Sequence, residues 1–223
     1  NIKNKKFSGV FKDMNLKHHY WFFKKAIPKK TCDEIIKYGL TKNKNVAVTG
    51  GTVLEKLKGA KKKKAILNLK TKRDSNVVWI EEKWLYDLIQ PYVHIANKNA
   101  GWNFEWDRSE AVQFTIYKKN QYYGWHCDSW TDPYKNVHKN FDGKIRKLSV
   151  SVSLNDSSKY TGGELEFDLR NKDPGINTIT ECKEIKEGGS VVVFPSFLWH
   201  RVKPITKGTR YSLVMWNLGK LFK

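Results

Sequence analysis

The sequence predicts a mainly β fold with flanking helices, built on a double-stranded β-helix, also called a jelly roll or cupin-like core. The first observation is a change of period at Gly101, after which apolar and polar residues alternate in short runs. The segments between these runs are rich in Asn, Asp, Gly and Lys, as expected of turns. The second observation is that two stretches before Gly101 carry apolar residues at helical spacing. Several short strands after two helices favour a jelly roll braced on one side by helices.

Length and composition agree with one domain. A chain of 223 residues buries a substantial core without a second domain, and its nine Trp, ten Tyr and eleven Phe exclude a disordered polymer. We expect a loose, lysine-rich arm at residues 1–19 and a single domain over residues 20–223. Within that domain, the helical support covers about residues 28–100 and the jelly-roll core about residues 101–219.

The segment HYWFFKKAI predicts an edge strand that Pro28 ends. The sequence from Thr31 to Glu34 has the pattern of a capping box, in which side chains bind the free N–H groups at the start of a helix. Apolar residues follow at Ile35 and Leu40, so a short amphipathic helix is expected there.

Residues 43–74 are rich in turn residues and lysine, including the run Lys61–Lys64. We expect a mobile, solvated loop rather than a phosphate site, because no aromatic residues interleave with the run to stack on bases. Residues 79–97 carry apolar residues at helical spacing and predict a second helix on the outside of the sheet. Pro91 is expected to bend or divide that helix.

The remaining elements are strands of period two. They are WNFEW, AVQFTIY, LSVSVSL, ELEFDL, SVVVFP and RYSLVMW.

His126 and Asp128 are candidate metal ligands. They are one residue apart, so on a strand both side chains leave the same face. An isolated H-x-D occurs by chance in many proteins, usually at a surface turn. The interpretation as a metal site gains support from His200, which follows a buried strand at Val191–Phe194 and the strand-breaking Pro195. Two imidazoles and one carboxylate on one side of a metal, with the other side open, suit non-haem Fe(II).

Arg210 and Ser212 are candidates for binding an anion. They are two residues apart at the start of the strand RYSLVMW and therefore share one of its faces. A guanidinium and a hydroxyl on one face can hold a carboxylate through an ion pair and a hydrogen bond.

Together these residues resemble those of the Fe(II)/2-oxoglutarate-dependent dioxygenases. More narrowly, the sequence resembles the prolyl 4-hydroxylase-like branch of that superfamily, including its PKHD-type members. That narrower resemblance rests on Y117-x-x-N120-x-x-Y123-x-x-H126-x-D128, on the TGGELEF segment and on the approach from Pro195 to His200. It covers roughly residues 75–219. The sequence departs from the branch at Asn120, where glycine is common, which puts the turn before the metal strand in question.

The resemblance implies an enzyme with a jelly-roll fold whose iron is bound by His126, Asp128 and His200. It implies 2-oxoglutarate as co-substrate, with its far carboxylate on Arg210 and with Ser212 and Tyr117 as supporting donors. It also implies O2 as the oxidant and admits ascorbate as a reductant. An ordinary core tyrosine is an equally good interpretation of Tyr117.

The segment at residues 129–144 is a long connection after the metal ligands and is placed to act as a substrate loop. Its aromatic residues Trp130, Tyr134 and Phe141 are candidates to embrace a proline ring or a peptide backbone. Tyr123 is in conflict: strand alternation turns it away from His126, whereas the family position places an aromatic there near the site.

The net charge of +20 favours an acidic partner such as nucleic acid, although a lysine-coated surface explains the charge slightly better. Three widely spaced cysteines do not form a disulfide framework and suggest the cytoplasm. No apolar run reaches the length of a membrane span, so no membrane partner is expected. The oligomeric state is left open.

The preferred function is therefore hydroxylation of a prolyl residue in a peptide or protein. The alternatives are a 2-oxoglutarate oxygenase acting on nucleic acid or a small molecule, and a non-catalytic jelly-roll binding protein. The non-catalytic binding protein is disfavoured, because binding alone gives no chemical reason to keep His126, Asp128, His200 and Arg210 together.

Overall fold

The computed structural model describes residues 16–43, 45–47, 57–129, 132–135, 139–169 and 178–222. The arm expected at residues 1–19 lies outside the described residues up to residue 15. At the start of the described chain, Leu16 packs against the main hydrophobic core.

Helices and short strands make up the first half of the chain. The α-helices in the described ranges are α1 (Lys29–Thr41), α2 (Gly59–Lys70) and α3 (Lys83–Asn99). None of them is both long enough and apolar enough to cross a membrane. The strands of this half are β1 (Trp21–Phe23), β2 (Asn45–Val46), β3 (Arg73–Asp74) and β4 (Asn76–Ile80).

Strands dominate the second half. They are β5 (Arg108–Ser109), β6 (Val112–Tyr117), β7 (Tyr122–His126), β8 (Ile145–Ser153), β9 (Tyr160–Gly162), β10 (Leu165–Asp168), β11 (Ile179–Glu181), β12 (Val191–Pro195), β13 (Trp199–Val202), β14 (Ile205–Gly208) and β15 (Arg210–Gly219). Two short 3-10 helices, Ser157–Lys159 and Lys183–Lys186, connect some of these strands.

The strands form two main antiparallel sheets. The larger has the order β1-β12-β8-β15-β6-β4-β2, with β5 paired to β15. The smaller has the order β11-β10-β13-β7-β3, and β14 pairs separately with β9. Aromatic rings from the two sheets meet between them: Phe167 of the smaller sheet packs edge to face on Phe194 of the larger, with ring centroids 4.9 Å apart. Two facing antiparallel sheets around a shared core confirm the predicted jelly roll.

Alternate residues of β6 enter two different hydrophobic cores. On β6, Val112, Phe114 and Ile116 face outward into a core shared with α1 and α3. Tyr117, on the other face of the same strand, belongs to the core between the sheets. The helices α1 and α3 therefore cover the outside of the larger sheet, as expected, and the inner face is left to line the barrel.

Some predicted elements in the first half are wrong in place or kind. The first helix begins at Lys29, directly after Pro28, and has no side-chain cap, so Thr31 lies inside it rather than capping it. The fixed φ of proline, here −58°, already suits a helix start. Part of the expected loop at residues 43–74 is α2, because Lys, Ala and Leu are good helix formers.

The second predicted helix begins later than expected. Trp79 and Ile80 belong to β4, where the β-branched run NVVWI pairs with β6. The helix then starts at Lys83 and runs through Pro91 as one element. The segment WNFEW forms no strand: Asn103 has a positive φ of 52°, and Trp102, Phe104 and Trp106 instead pack on the outer core. The other five predicted strands correspond to β6, β8, β10, β12 and β15.

Candidate active site

The pairing of β7 with β13 brings the three candidate metal ligands together. His200 on β13 lies directly opposite His126 at the end of β7, and Asp128 follows two residues later. The Nε2 atoms of His126 and His200 lie 3.7 and 3.6 Å from the two carboxylate oxygens of Asp128. One donor atom from each residue falls within 4.8 Å of the others. The nitrogen–oxygen separations are too long for hydrogen bonds, so the groups surround a common point instead of bonding to one another.

Backbone carbonyls orient both imidazoles. Nδ1 of His126 lies 2.8 Å from the carbonyl oxygen of Gly124, and Nδ1 of His200 lies 2.9 Å from that of Leu198. Each Nδ1 must therefore carry the proton and donate it, which leaves the Nε2 lone pair free to bind a metal. Burial, reinforced by His200, lowers the pKa of His126 to about 3, so this imidazole is neutral at pH 7.

Asp128 is buried and held as a carboxylate. Ser149 Oγ donates a hydrogen bond of 2.7 Å to its Oδ2, and the backbone N–H of Asp128 donates to Ser196. Burial alone would raise the pKa of this carboxyl, but the two imidazoles, Arg146 and Ser149 outweigh burial and lower the pKa to about 2. Two imidazoles and one carboxylate are the ligand set that suits non-haem Fe(II), so these residues fit that metal.

Arg210 is a buried cation on the wall of the same barrel. It is 2% exposed, and its Nη1 donates to Ser212 Oγ at 3.3 Å. Its guanidinium carbon lies 5.6 Å from the ring centroid of Tyr117, which is opposite it on β6. Among the described residues no carboxylate pairs with Arg210. A buried charge without a counter-ion is costly, and a bound anionic ligand would offset that cost.

Thr115 adds a feature that the sequence analysis missed. It lies directly opposite Ser212 on the inner face of β6, is fully buried, and its Oγ1 has no hydrogen-bond partner within the described structure. Leaving a buried hydroxyl unpaired costs about 1–3 kcal/mol, so a ligand that accepts its proton would relieve a real penalty. Alternation along AVQFTIY, with Tyr117 facing inward, is the signal that points to this residue.

A cavity of about 230 Å³ opens onto Arg210. Its walls include Tyr160, the segment from Thr161 to Leu165, Cys182 and Ile185. A Cβ added at Gly163 would lie 3.1 Å from Cδ of Arg210 and 2.3 Å from Ile205. The glycine in TGGELEF therefore allows this turn to pack closely over the arginine side chain.

The structure resolves the conflict over Tyr123. Its ring stacks on that of His126, with centroids 3.4 Å apart, because the register of β7 with β13 shifts between His200 and Val202. An arginine absent from the sequence analysis, Arg73 of β3, has its guanidinium carbon 4.4 Å from the ring centroid of Tyr123. Its Nη2 also donates to Gln113 at 2.5 Å.

Part of the predicted substrate loop is fastened to the barrel. The hydroxyl of Tyr134 donates to Glu110 at 2.9 Å, and Glu110 accepts two hydrogen bonds from Arg146, at 2.7 and 2.6 Å. The guanidinium of Arg146 lies 3.9 Å from the ring centroid of Trp216. Phe141 is half-buried, whereas Trp130 lies outside the described residues.

Asn120, the departure from the family pattern, adopts a left-handed conformation with φ 67°, so asparagine supports the turn.

Comparisons with known proteins agree with this geometry. Residues 112–217 match the model of the 2OG-Fe(II) oxygenase superfamily, whose name specifies the cofactors Fe(II) and 2-oxoglutarate. A PKHD-type hydroxylase of Pseudoalteromonas atlantica is 32% identical over 106 residues, which are 47% of this chain and 41% of that protein. One of Synechococcus sp. is 35% identical over 95 residues, 42% and 35% of the two chains. The chain thus spans about two fifths of the length of these relatives.

Solved structures share the fold. A Pseudomonas putida prolyl-4-hydroxylase superposes with a TM-score of 0.58 and 17% identity, covering 90% of this chain and 92% of that one. A viral collagen prolyl hydroxylase from Paramecium Bursaria Chlorella virus-1, in its 2OG complex, superposes with a TM-score of 0.58 and 17% identity. The match covers 91% of this chain and 97% of that one. A prolyl hydroxylase from Trichoplax adhaerens, in complex with a hypoxia inducible factor peptide fragment, superposes with a TM-score of 0.55 and 16% identity. The match covers 90% of this chain and 84% of that one.

Proposed function

We propose that this chain, whose residues 112–217 form a 2OG-Fe(II) oxygenase domain, hydroxylates a C–H bond in a peptide or protein, with a prolyl residue as target. The observation that carries the proposal is that a buried cluster of two imidazoles and one carboxylate shares a barrel with an unpaired buried arginine. When bound, Fe(II) and 2-oxoglutarate use O2 to insert one oxygen atom into a C–H bond, releasing CO2 and succinate.

His126, Asp128 and His200 would hold the iron. Each already offers a free Nε2 lone pair or a carboxylate oxygen, so little reorganisation is needed on binding. Ser149 leaves one carboxylate oxygen of Asp128 outside its own hydrogen bond, and that oxygen is available as a ligand.

Arg210, Ser212 and Tyr117 would bind the far carboxylate of 2-oxoglutarate, with Thr115 beside them. The guanidinium supplies charge, and the hydroxyls of Ser212 and Thr115 supply donors from adjacent strands. The walls of the barrel exclude water from this end, which strengthens each of these interactions.

A peptide would approach over Tyr123, Arg146 and Trp216. The Nε1 of Trp216 is buried without a hydrogen-bond partner among the described residues, so the protein itself leaves this donor unsatisfied. Ser149 lies opposite Trp216 and bonds Asp128, which puts this donor one residue from the metal cluster. The prolyl hydroxylase structures, one with a bound peptide fragment, support a polypeptide substrate.

We further propose that residues 20–223 act as one domain. Support comes from α1 and α3, whose apolar residues share a core with the oxygenase sheet.

The test is anaerobic titration with Fe(II) and then 2-oxoglutarate, followed by succinate release in air with proline-rich peptides. We expect a weak visible charge-transfer band and peptide-stimulated succinate in the wild type, and neither in Asp128→Ala. Absence of the band from metal-replete wild type would overturn the oxygenase assignment. A band with succinate stimulated only by DNA or RNA, which the net charge of +20 makes the main alternative, would overturn the polypeptide assignment.

A further inference from the structure

The helix α2 presents an unusual density of positive charge. Its exposed side chains include Lys61, Lys62, Lys63 and Lys64, with Lys58 just before it and Lys70 at its end. Residues 57–73 contain no Asp or Glu. Leu69 is the one buried side chain of the helix, so α2 lies on the surface of the barrel with its lysines in solvent.

These charges oppose the folding of the helix that carries them. Lys58 and Lys62, and Lys61 and Lys64, are like-charged neighbours on successive turns, and all four lie near the positive end of the helix dipole. On α1 and α3 the corresponding exposed lysines are neutralised within the helix, Lys29 by Asp33 and Lys83 by Asp87. In the described structure no carboxylate pairs with Lys58 or Lys61–Lys64. Such local conflict is relieved when an anionic partner binds.

The helix is fixed beside the metal strand. The hydroxyl of Tyr122 on β7 donates to the carbonyl oxygens of Lys70 and Thr71, each at 3.0 Å. The backbone N–H of Gly124 donates to the carbonyl of Lys72 at 2.8 Å. A ligand lying along α2 would therefore end beside Tyr122, on the strand that carries His126 at its other end.

We propose that α2 binds an acidic segment of the polypeptide substrate and so delivers the neighbouring target residue to the metal. This inference rests on the proposed function. A helix of 12 residues is about 18 Å long, the length of five or six extended residues, so the acidic segment would be of that length. Residues 57–72 contain no aromatic residue and no arginine, which favours carboxylates over the bases and phosphates of single-stranded nucleic acid.

The experiment measures binding of two fluorescent peptides to the full chain by anisotropy, independently of turnover. Both contain one proline; one carries six flanking glutamates and the other six glutamines. The test variant is K61Q/K62Q/K63Q/K64Q, and K61R/K62R/K63R/K64R keeps the charge. The matched control, K24Q/K30Q/K37Q/K98Q, removes four exposed lysines elsewhere. Thermal melting checks that each variant is folded.

We expect the glutamate peptide to bind at least about tenfold more tightly than the glutamine peptide, with the difference shrinking from about 0.05 M to about 0.3 M salt. The test variant should lose that advantage, whereas the arginine variant and the matched control should keep it. Equal loss in the matched control would overturn the proposal in favour of net charge alone. Tighter, α2-dependent binding of a single-stranded DNA or RNA oligomer than of the glutamate peptide would overturn it in favour of nucleic acid.

The proposed function can fail separately. If the wild type forms no charge-transfer band with Fe(II) and 2-oxoglutarate, the oxygenase assignment fails whatever the peptides do. If the band forms but the glutamate peptide gains nothing from α2, the failure belongs to this inference.

Discussion

Single side chains in the barrel have separable effects on metal, co-substrate and stability. The metal cluster and Arg210 lie on different strands, β7 and β13 for the imidazoles and β15 for the guanidinium. A change at Arg210 should therefore act on the anion without altering the donor atoms of the metal.

We predict that Arg210→Gln weakens 2-oxoglutarate binding by about 100-fold, because a charge-assisted interaction in a buried site is worth roughly 2–3 kcal/mol. The glutamine retains a donor but no charge. Calorimetric titration with 2-oxoglutarate in the presence of Mn(II) measures the loss, and Mn(II) affinity in the absence of 2-oxoglutarate is the control. An unchanged 2-oxoglutarate affinity would show that Arg210 does not bind its carboxylate.

Thr115→Val is predicted to move stability and binding in opposite directions. Valine has nearly the same shape but lacks the unpaired hydroxyl, so the ligand-free protein should be stabilised by about 1 kcal/mol. The same change removes the donor proposed for the co-substrate and should weaken 2-oxoglutarate binding several-fold. Urea unfolding and calorimetry measure the two effects, and Thr115→Ser should keep the binding. A stabilised variant with wild-type affinity would remove Thr115 from the co-substrate site.

At the scale of elements, close packing between the turn after β9 and strand β15 shapes the barrel around Arg210. The turn after β9 crosses Arg210 and Ile205 at Gly163, which has a φ of +71°. A side chain there would meet both neighbours, so this turn tolerates no Cβ at its present distance.

We predict that Gly163→Ala destabilises the protein by about 2–4 kcal/mol, since strain at positive φ adds to the overlap with Ile205. It should also weaken 2-oxoglutarate binding by displacing Arg210. Gly143→Ala is the matched control, because Gly143 has a φ of +73° but no atom within 4 Å of an added Cβ. Chemical denaturation compares the two. Equal destabilisation would mean that the backbone conformation alone, not contact with Arg210 and Ile205, governs the cost.

The elements that the sequence predicted correctly are those whose pattern is set by the core. In β6, β8, β12 and β15 every second residue enters the outer core, and that alternation is visible in the residues themselves. The segment WNFEW alternates as well, yet its rings pack without strand pairing. Periodicity reports which side chains are buried and not which backbone they pair with.

The site residues also fall into two groups, those that spacing along one strand indicates and those that depend on pairing between strands. Spacing along one strand pointed to His126 with Asp128 and to Arg210 with Ser212, because residues two apart share a face. Arg73 was missed because it reaches Tyr123 across the pairing of β3 with β7, which no local pattern encodes. Tyr123 itself was ambiguous because a register shift overrides simple alternation.

For the whole molecule, the buried cluster of His126, Asp128 and His200 couples folding to pH. Burial, with His200 beside it, lowers the pKa of His126 from 6.5 to about 3 in the folded, metal-free protein. Between these values the unfolded chain binds a proton that the folded state does not. The stability contributed by neutral His126 is therefore fully present above pH 6.5 and is lost as the pH falls toward 3.

We predict that the unfolding free energy of the metal-free protein falls with decreasing pH in this window by up to about 1.4 kcal/mol per pH unit from His126. His126→Gln cannot take up this proton, so the difference between wild type and variant isolates the contribution. Urea unfolding in a chelator, from neutral pH down to mildly acidic pH, provides the measurement. Mn(II) should stabilise the wild type most at neutral pH, since both imidazoles must be unprotonated to bind it. Parallel pH profiles for wild type and variant would mean that His126 is already accessible to protons in the folded protein, and that the metal cluster is less enclosed than its burial implies.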